Sequence, residues 1–101
     1  MSAEPMFDEA IHAPTRLRVC AMLRPLDRAD FATVAASLDL SEATLSKTIR
    51  NLSDLVYVST SKQASQDRSD ARRTTTVQLT AAGRRAFDGH IAALQALVPD
   101  A

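Results

Sequence analysis

From Asp30 to Leu55 the chain reads DFATVAASLDLSEATLSKTIRNLSDL, and its apolar positions fall into two helical registers. Phe31, Val34, Ala35 and Leu38 recur at i, i+3, i+4 and i+7, one face of a helix. Asp30 precedes that face and can accept hydrogen bonds from the first free N–H groups. Leu45, Ile49 and Leu52 recur at i, i+4 and i+7 and mark a second helix, with Ser41 as its N-cap. Only Asp39 and Leu40 separate Leu38 from that cap. A break so short swings the second helix steeply across the first, which predicts a helix-turn-helix.

The same pattern organises the rest of the chain. Residues 1–5 are expected to be loose, and Phe7 to His12 to form a short helical turn that packs Met6, Phe7 and Ile11 on the domain or reaches a partner subunit. Pro14 suits the first turn of a helix, where its missing N–H is not needed, and that helix should stop before Pro25. Its apolar residues, Leu17, Val19, Cys20 and Leu23, spread over more than one face, as in a helix buried on two sides. Val56 to Lys62 predicts a strand, 63–72 (QASQDRSDAR) a polar loop, and RTTTVQL at 73–79 a second strand with Thr75, Val77 and Leu79 on one face. Thr80 caps a last helix on which Phe87, Ile91, Leu94 and Val98 recur at i, i+4, i+7 and i+11. The hairpin and the short helices cannot cover so long a stripe, so these four residues are the expected dimerisation face.

The fold class that follows is mainly α with a two- to three-stranded β-wing: a winged helix-turn-helix with N- and C-terminal dimerisation helices. One domain over 1–101 divides into a helix-turn-helix at 30–55, a wing at 56–79 and a C-terminal dimerisation helix at 80–98.

Composition changes this picture little. The 101 residues suffice for one modest core, and 46% hydrophobic content is too high for a disordered chain. Twelve Lys and Arg balance twelve Asp and Glu, which argues against a non-specific nucleic-acid coat. Charge is nonetheless segregated. Residues before Pro14 carry Glu4, Asp8 and Glu9 with no Lys or Arg, whereas Ser41 to Leu79 holds Lys47, Arg50, Lys62, Arg68, Arg72 and Arg73 against Glu42, Asp54, Asp67 and Asp70. That excess is small, so one copy should attract phosphate weakly. Cys20 is the single cysteine, which excludes an intramolecular disulfide and a multi-cysteine metal site, and it reads as a small core residue. No apolar run spans a bilayer and the acidic N-terminus is unlike a signal peptide, so a soluble, cytoplasmic protein is expected.

With Leu45, Ile49 and Leu52 turned inward, a period of about 100° per residue turns Ala43, Lys47, Arg50 and Asp54 outward, flanked by Ser46 and Asn51. Short, hydroxylic and cationic side chains suit a helix lying in a major groove, where Arg and Lys read guanine edges. Arg68, Arg72 and Arg73 on the hairpin are candidates for phosphate or narrow minor-groove contacts. Arg16, Arg18, Arg24 and Arg28 cluster near the Pro14 helix; they read as solvated surface, with one or two in reach of phosphate.

Three stretches in order, HAPTRLRVCAML (12–23), LDLSEATLSKTIRNL (38–52) and VQLTAAGRRAF (77–87), resemble the small winged-helix transcription regulators related to the MarR and ArsR groups. Leu79, Thr80 and Gly83 stand in the usual Leu-Thr-x-x-Gly places. The resemblance implies DNA contacts from Ser41, Ala43, Thr44, Ser46, Lys47 and Arg50, and wing contacts from Arg68, Arg72 and Arg73. Two departures stand out. Val56 occupies a place usually held by a left-handed Gly, so the helix end is expected to take another route. Asp67 and Asp70 should weaken the pull of the wing arginines on phosphate. Metal sensing is not expected: His12, Cys20 and His90 are isolated in sequence, and His90 reads as a dimer-face or surface residue.

The expected function is therefore sequence-specific DNA binding by a homodimeric transcriptional regulator, read as a repressor, on a palindromic operator. The expected partners are double-stranded DNA and a second copy. A small-molecule effector would sit between the dimer helices and the helix-turn-helix, and no residue set identifies one. No membrane partner, cofactor, metal or catalytic residue is expected, since no Gly-rich phosphate loop, nucleophile elbow or paired carboxylates occur. The zero net charge and the acids of the wing keep a second reading open, a winged helix serving as a protein-interaction module in a regulatory complex.

Overall fold

A computed structural model describes residues 3–64 and 73–98. Five helices and three strands follow in the order α1 (Glu9–His12), α2 (Pro14–Leu23), β1 (Ala29–Asp30), α3 (Phe31–Leu38), α4 (Glu42–Asp54), β2 (Val58–Ala64), β3 (Arg73–Leu79) and α5 (Ala81–Leu97). The strands form one antiparallel sheet in the order β1-β3-β2. β2 and β3 pair from Val58 opposite Leu79 out to Ala64 opposite Arg73, so β2 keeps the expected seven residues but starts and ends two positions later than Val56 to Lys62, because Val56 and Tyr57 are taken up by the turn that ends α4. β1 is a two-residue strand against Thr76 and Val77, too short to leave any alternation to read. The fold is a winged helix.

Local chemistry sets the helix starts. Pro14 sits in the first turn of α2. Asp30, Ser41 and Thr80 each sit in extended conformation and accept the backbone N–H three residues on, from Thr33, Thr44 and Gly83. Asp8 does the same for α1 through Ile11. The core lies where α2 meets the other helices and the sheet. Val19, Cys20 and Leu23 are fully buried, as are Val34, Leu45, Leu52 and Val77. Burying a Leu contributes about 1.5–3 kcal/mol, so the inward faces of Leu45 and Leu52 fix the rotation of α4 about its own axis. Cys20 is a core residue, its thiol pushed up to about 11 by burial first and by Asp8 second.

Three arginines expected on the solvated surface prove to be staples. Arg16 donates to the Ala10 carbonyl at 2.6 Å and Arg18 to the Leu38 carbonyl at 2.6 Å. Arg24 grips Asp88 through Nε–Oδ1 at 2.7 Å and Nη2–Oδ2 at 2.9 Å, joining the end of α2 to α5. That bond holds the Asp88 carboxyl below its usual range. Arg84 adds bonds to the carbonyls of Arg24 and Leu26.

The end of α4 contradicts the expectation drawn from Val56. This residue does adopt the left-handed conformation, with φ 63°. Its N–H donates to the Ser53 carbonyl and that of Tyr57 to the Leu52 carbonyl, both at 2.9 Å, the bond pair of a Schellman motif. The Val56 carbonyl also accepts the Thr80 hydroxyl at 2.6 Å, and the Tyr57 carbonyl accepts the Thr80 N–H at 3.0 Å. Four bonds impose the turn on a residue type that resists it. The resistance is worth about 1–3 kcal/mol, and Val56 is 65% exposed, so little burial compensates. Val56→Gly is therefore expected to stabilise the protein by about 1 kcal/mol, net of glycine's extra backbone entropy. Thermal unfolding should show a Tm about 4–8 °C higher; a lower Tm would contradict the strain.

One further expectation fails. His90 is not on the surface: it is fully buried, between Asp8 and His12. Residues 78 positions apart meet there because α1 lies against α5. Ile11 packs inward as expected, and Phe7 lies against the His12 and His90 rings while 48% exposed; Met6 is tied to α5 by its N–H on the Gly89 carbonyl at 2.9 Å, with 70% of the residue exposed.

Candidate nucleic-acid interface

The turn between α3 and α4 is as tight as its two residues demand. Asp39 takes φ 55°, with its N–H on the Ala36 carbonyl, and the Leu40 N–H reaches the Ala35 carbonyl at 2.9 Å. An aspartate tolerates this conformation better than most residues. α4 thus leaves the body of the fold with Leu45, Thr48, Ile49 and Leu52 buried. Thr48 satisfies its hydroxyl on the Thr44 carbonyl at 2.9 Å.

The opposite face of α4 is open. Ser41, Ala43, Thr44, Ser46, Lys47 and Arg50 are all exposed. Arg24 and Asp88 form the one salt bridge among the described residues, so neither Lys47 nor Arg50 is neutralised within this set. Ala43, Lys47 and Arg50 lie at i, i+4 and i+7. At 1.5 Å per residue they span about 10 Å, the length of about three base pairs.

The hydroxyls at the start of α4 are not equivalent. Ser41 Oγ accepts the Thr44 N–H at 3.1 Å and donates its proton to Thr44 Oγ1 at 2.9 Å. The cap thus occupies Ser41's hydrogen, while the exposed Thr44 hydroxyl donates to no acceptor among the described residues. Glu42 is exposed in the same turn and sets a carboxylate at the rim.

On the wing, Arg68 and Arg72 lie outside the described residues, as does the side chain of Arg73, whose backbone opens β3 opposite Ala64. A cation that the sequence reading did not assign is Lys62, exposed on β2 opposite Thr75. By strand alternation it shares a face with Val58 and Thr60, beyond the point where the sheet still covers core. Register would have placed it, had the pairing of β2 with β3 been known. Ser61 and Thr76 hydroxyls bond across the hairpin at 2.7 Å and brace this part of the wing.

Of the four residues expected on a dimer face, Phe87 is only 8% exposed and belongs to the protomer's own core. It lies early in α5, where that helix crosses the body of the fold. Ile91 packs partly against the same core, Leu94 is half-buried and Val98 is 57% exposed. Leu97, with 74% exposure, extends the uncovered end. No helix among the described residues is long and apolar enough to cross a membrane.

Comparison with known proteins agrees with this geometry. No curated protein matches the chain. Among solved structures, the transcriptional regulator homologue protein from Pyrococcus horikoshii OT3 is 26% identical, over 92% of this chain and 88% of that one, with a TM-score of 0.81. Overoxidized AbfR bound to DNA is 23% identical over 86% of this chain, with a TM-score of 0.67. A MarR family transcriptional regulator from Silicibacter pomeroyi DSS is 24% identical over 91% of this chain, with a TM-score of 0.60. The chain spans 60% and 55% of those last two chains. A family model described as a winged helix DNA-binding domain matches residues 15–98. The chain belongs to the winged helix DNA-binding domain family.

Proposed function

We propose that the protein is a sequence-specific transcriptional regulator that binds a palindromic operator as a homodimer and represses by excluding RNA polymerase. The observation that carries this reading is the exposed, un-neutralised face of α4, with Lys47 and Arg50 on a helix whose rotation the core fixes. Lys47 and Arg50 read base edges, Ala43 and Ser46 permit close approach, and the Thr44 hydroxyl anchors a phosphate, with Ser41 serving it as cap. Arg68, Arg72 and Arg73 on the wing, joined by Lys62, contact the backbone or minor groove. One helix face of about three base pairs specifies little, and a two-fold pair reading two half-sites about one turn apart remedies that. The exposed apolar residues Met6, Phe7, Leu97 and Val98 support a second copy as the cover for the terminal elements. The overoxidized AbfR neighbour is a DNA-bound structure, which supports DNA as the ligand of this fold here. A cavity of about 550 Å³ beside α5, lined by residues that include Met6, Tyr57, Ala86 and Arg85, is where an effector would sit.

Selection of bound sequences from random duplex DNA tests the proposal. The expected product is an inverted repeat with half-site centres about 10 base pairs, or a multiple of that, apart. Recovery of no enriched sequence would count against it and would favour the protein-interaction reading, for which the exposed Leu55 and Val56 offer apolar surface.

A further inference from the structure

The N-terminal segment is tied to the body of the protein through two imidazoles. The Asp8 N–H donates to His90 Nδ1 at 3.0 Å, so Nδ1 carries no proton and the neutral ring holds its hydrogen on Nε2. His90 Nε2 lies 3.1 Å from His12 Nδ1, to which it donates. Phe7 lies against both rings, with centroid separations of 4.9 and 4.7 Å. The Asp8 carboxylate caps α1 through Oδ1 and accepts the Tyr57 hydroxyl on Oδ2 at 2.6 Å. Tyr57 is itself bonded through its N–H to Leu52 of α4 and through its carbonyl to Thr80, at the start of α5. A single chain of hydrogen bonds therefore runs from His12 through His90, Asp8 and Tyr57 to the end of α4.

We propose that this His12–His90–Asp8–Tyr57 chain is a proton-operated latch that holds residues 3–12 against α5 and the end of α4 while both imidazoles are neutral. A proton added to His90 Nδ1 would face the Asp8 N–H, donor against donor. A proton added to His12 Nδ1 would face the His90 Nε2–H in the same way. Either event removes a bond that holds the segment, and the Asp8–Tyr57 bond carries the change to the residue next to α4's terminator.

The surrounding groups decide the pH window. From the N-terminal segment and α1, Asp8 and His12 face His90; the Cys20 thiol of α2 and the Tyr57 hydroxyl join the cluster through Asp8. On α5 itself Asp88 is turned to Arg24. The thiol is pushed up to about 11 and the Tyr57 hydroxyl to about 12, so neither titrates near neutrality. Burial first, and His12 second, hold His90 below its ordinary 6.5, with the Asp8 carboxylate pulling the other way. A histidine whose folded value is depressed supports the closed state fully above about 6.5 and loses that support as pH falls toward the folded value. The latch is shut at pH 7.5 and opens on acidification.

Amide and imidazole NMR on the full chain between pH 7.5 and 5.0 tests this without reference to DNA. At pH 7.5 His90 should appear as the Nε2–H tautomer. Its midpoint should fall below 6.5, and the amides of Met6, Asp8 and Tyr57 should shift with that same midpoint. Protection of the Met6 and Asp8 amides should drop about tenfold or more across the range while the Leu45 amide stays protected. His90→Asn, which keeps an acceptor near the Nδ1 position and cannot titrate, should abolish the pH response of Tyr57. His12 is exposed, so His12→Gln provides a variant that folds, and there the His90 midpoint should rise. A His90 midpoint at or above 6.5 in the unaltered protein, or Tyr57 and Met6 amides that ignore it, would overturn the latch.

Discussion

Gly83→Ala should destabilise the protein by about 3 kcal/mol or more, lowering Tm by more than about 12 °C or leaving no folded protein at 37 °C. In an ordinary helix the same change gains about 1 kcal/mol, so the sign alone is diagnostic. A Cβ on Gly83 would lie 2.0 Å from the Tyr57 carbonyl oxygen and 2.9 Å from its carbon, with Leu79 Cδ2 at 3.1 Å. The backbone obstacle cannot retreat cheaply. Tyr57 is held through its N–H by Leu52, through its carbonyl by Thr80 and through its hydroxyl by Asp8. Either α5 swings away from the sheet or the terminator of α4 breaks. Gly89 provides the control, since a Cβ there would meet the Glu4 carbonyl oxygen at 3.3 Å and Met6 Cβ at 3.4 Å, and Gly89→Ala should fall within about 1 kcal/mol of the parent. Chemical denaturation of both variants measures the difference; equal stabilities would refute the close approach of α5 to the end of α4.

The second large effect concerns the ligand. Arg50→Ala should cost about 1–3 kcal/mol of specific binding, and Lys47→Ala/Arg50→Ala should lose more, with the discrimination between bases relaxed at the positions those residues read. Folding should be unaffected, because both side chains stand outside the core and neither takes part in the salt bridge. Thr44→Val removes only a hydroxyl that also serves as Ser41's partner, so its effect should be smaller and uniform across sequences. Base readout and phosphate contact thus separate within one helix.

What the sequence showed and what it hid follow from the range of each interaction. Caps and periodic faces act within a few residues, so Asp30, Ser41, Thr80 and the Leu45–Ile49–Leu52 face were legible, and the outward side of α4 came with them. The tether between His12 and His90, the Arg24–Asp88 pair and the contact between Gly83 and Tyr57 join residues far apart in the chain, and no local pattern marks them. β1 has two residues and hence no alternation to detect. Val56 went against expectation for a physical reason: the intrinsic preference was read correctly, but the hydrogen bonds of the turn outweigh about 1–3 kcal/mol of strain. Phe87 misled because periodicity shows that a stripe is apolar without showing where the protomer's own core stops covering it.

One titration tests the central claim most directly: binding of the selected duplex by the parent protein and by Lys47→Ala/Arg50→Ala, followed by fluorescence anisotropy from about 50 to 200 mM salt. The account predicts that parent affinity falls steeply, with a slope of log K against log salt of about −0.9 per phosphate neutralised, and that the double variant binds more weakly at every salt. Parent affinity indifferent to salt, or a double variant that binds as tightly as the parent, would contradict it.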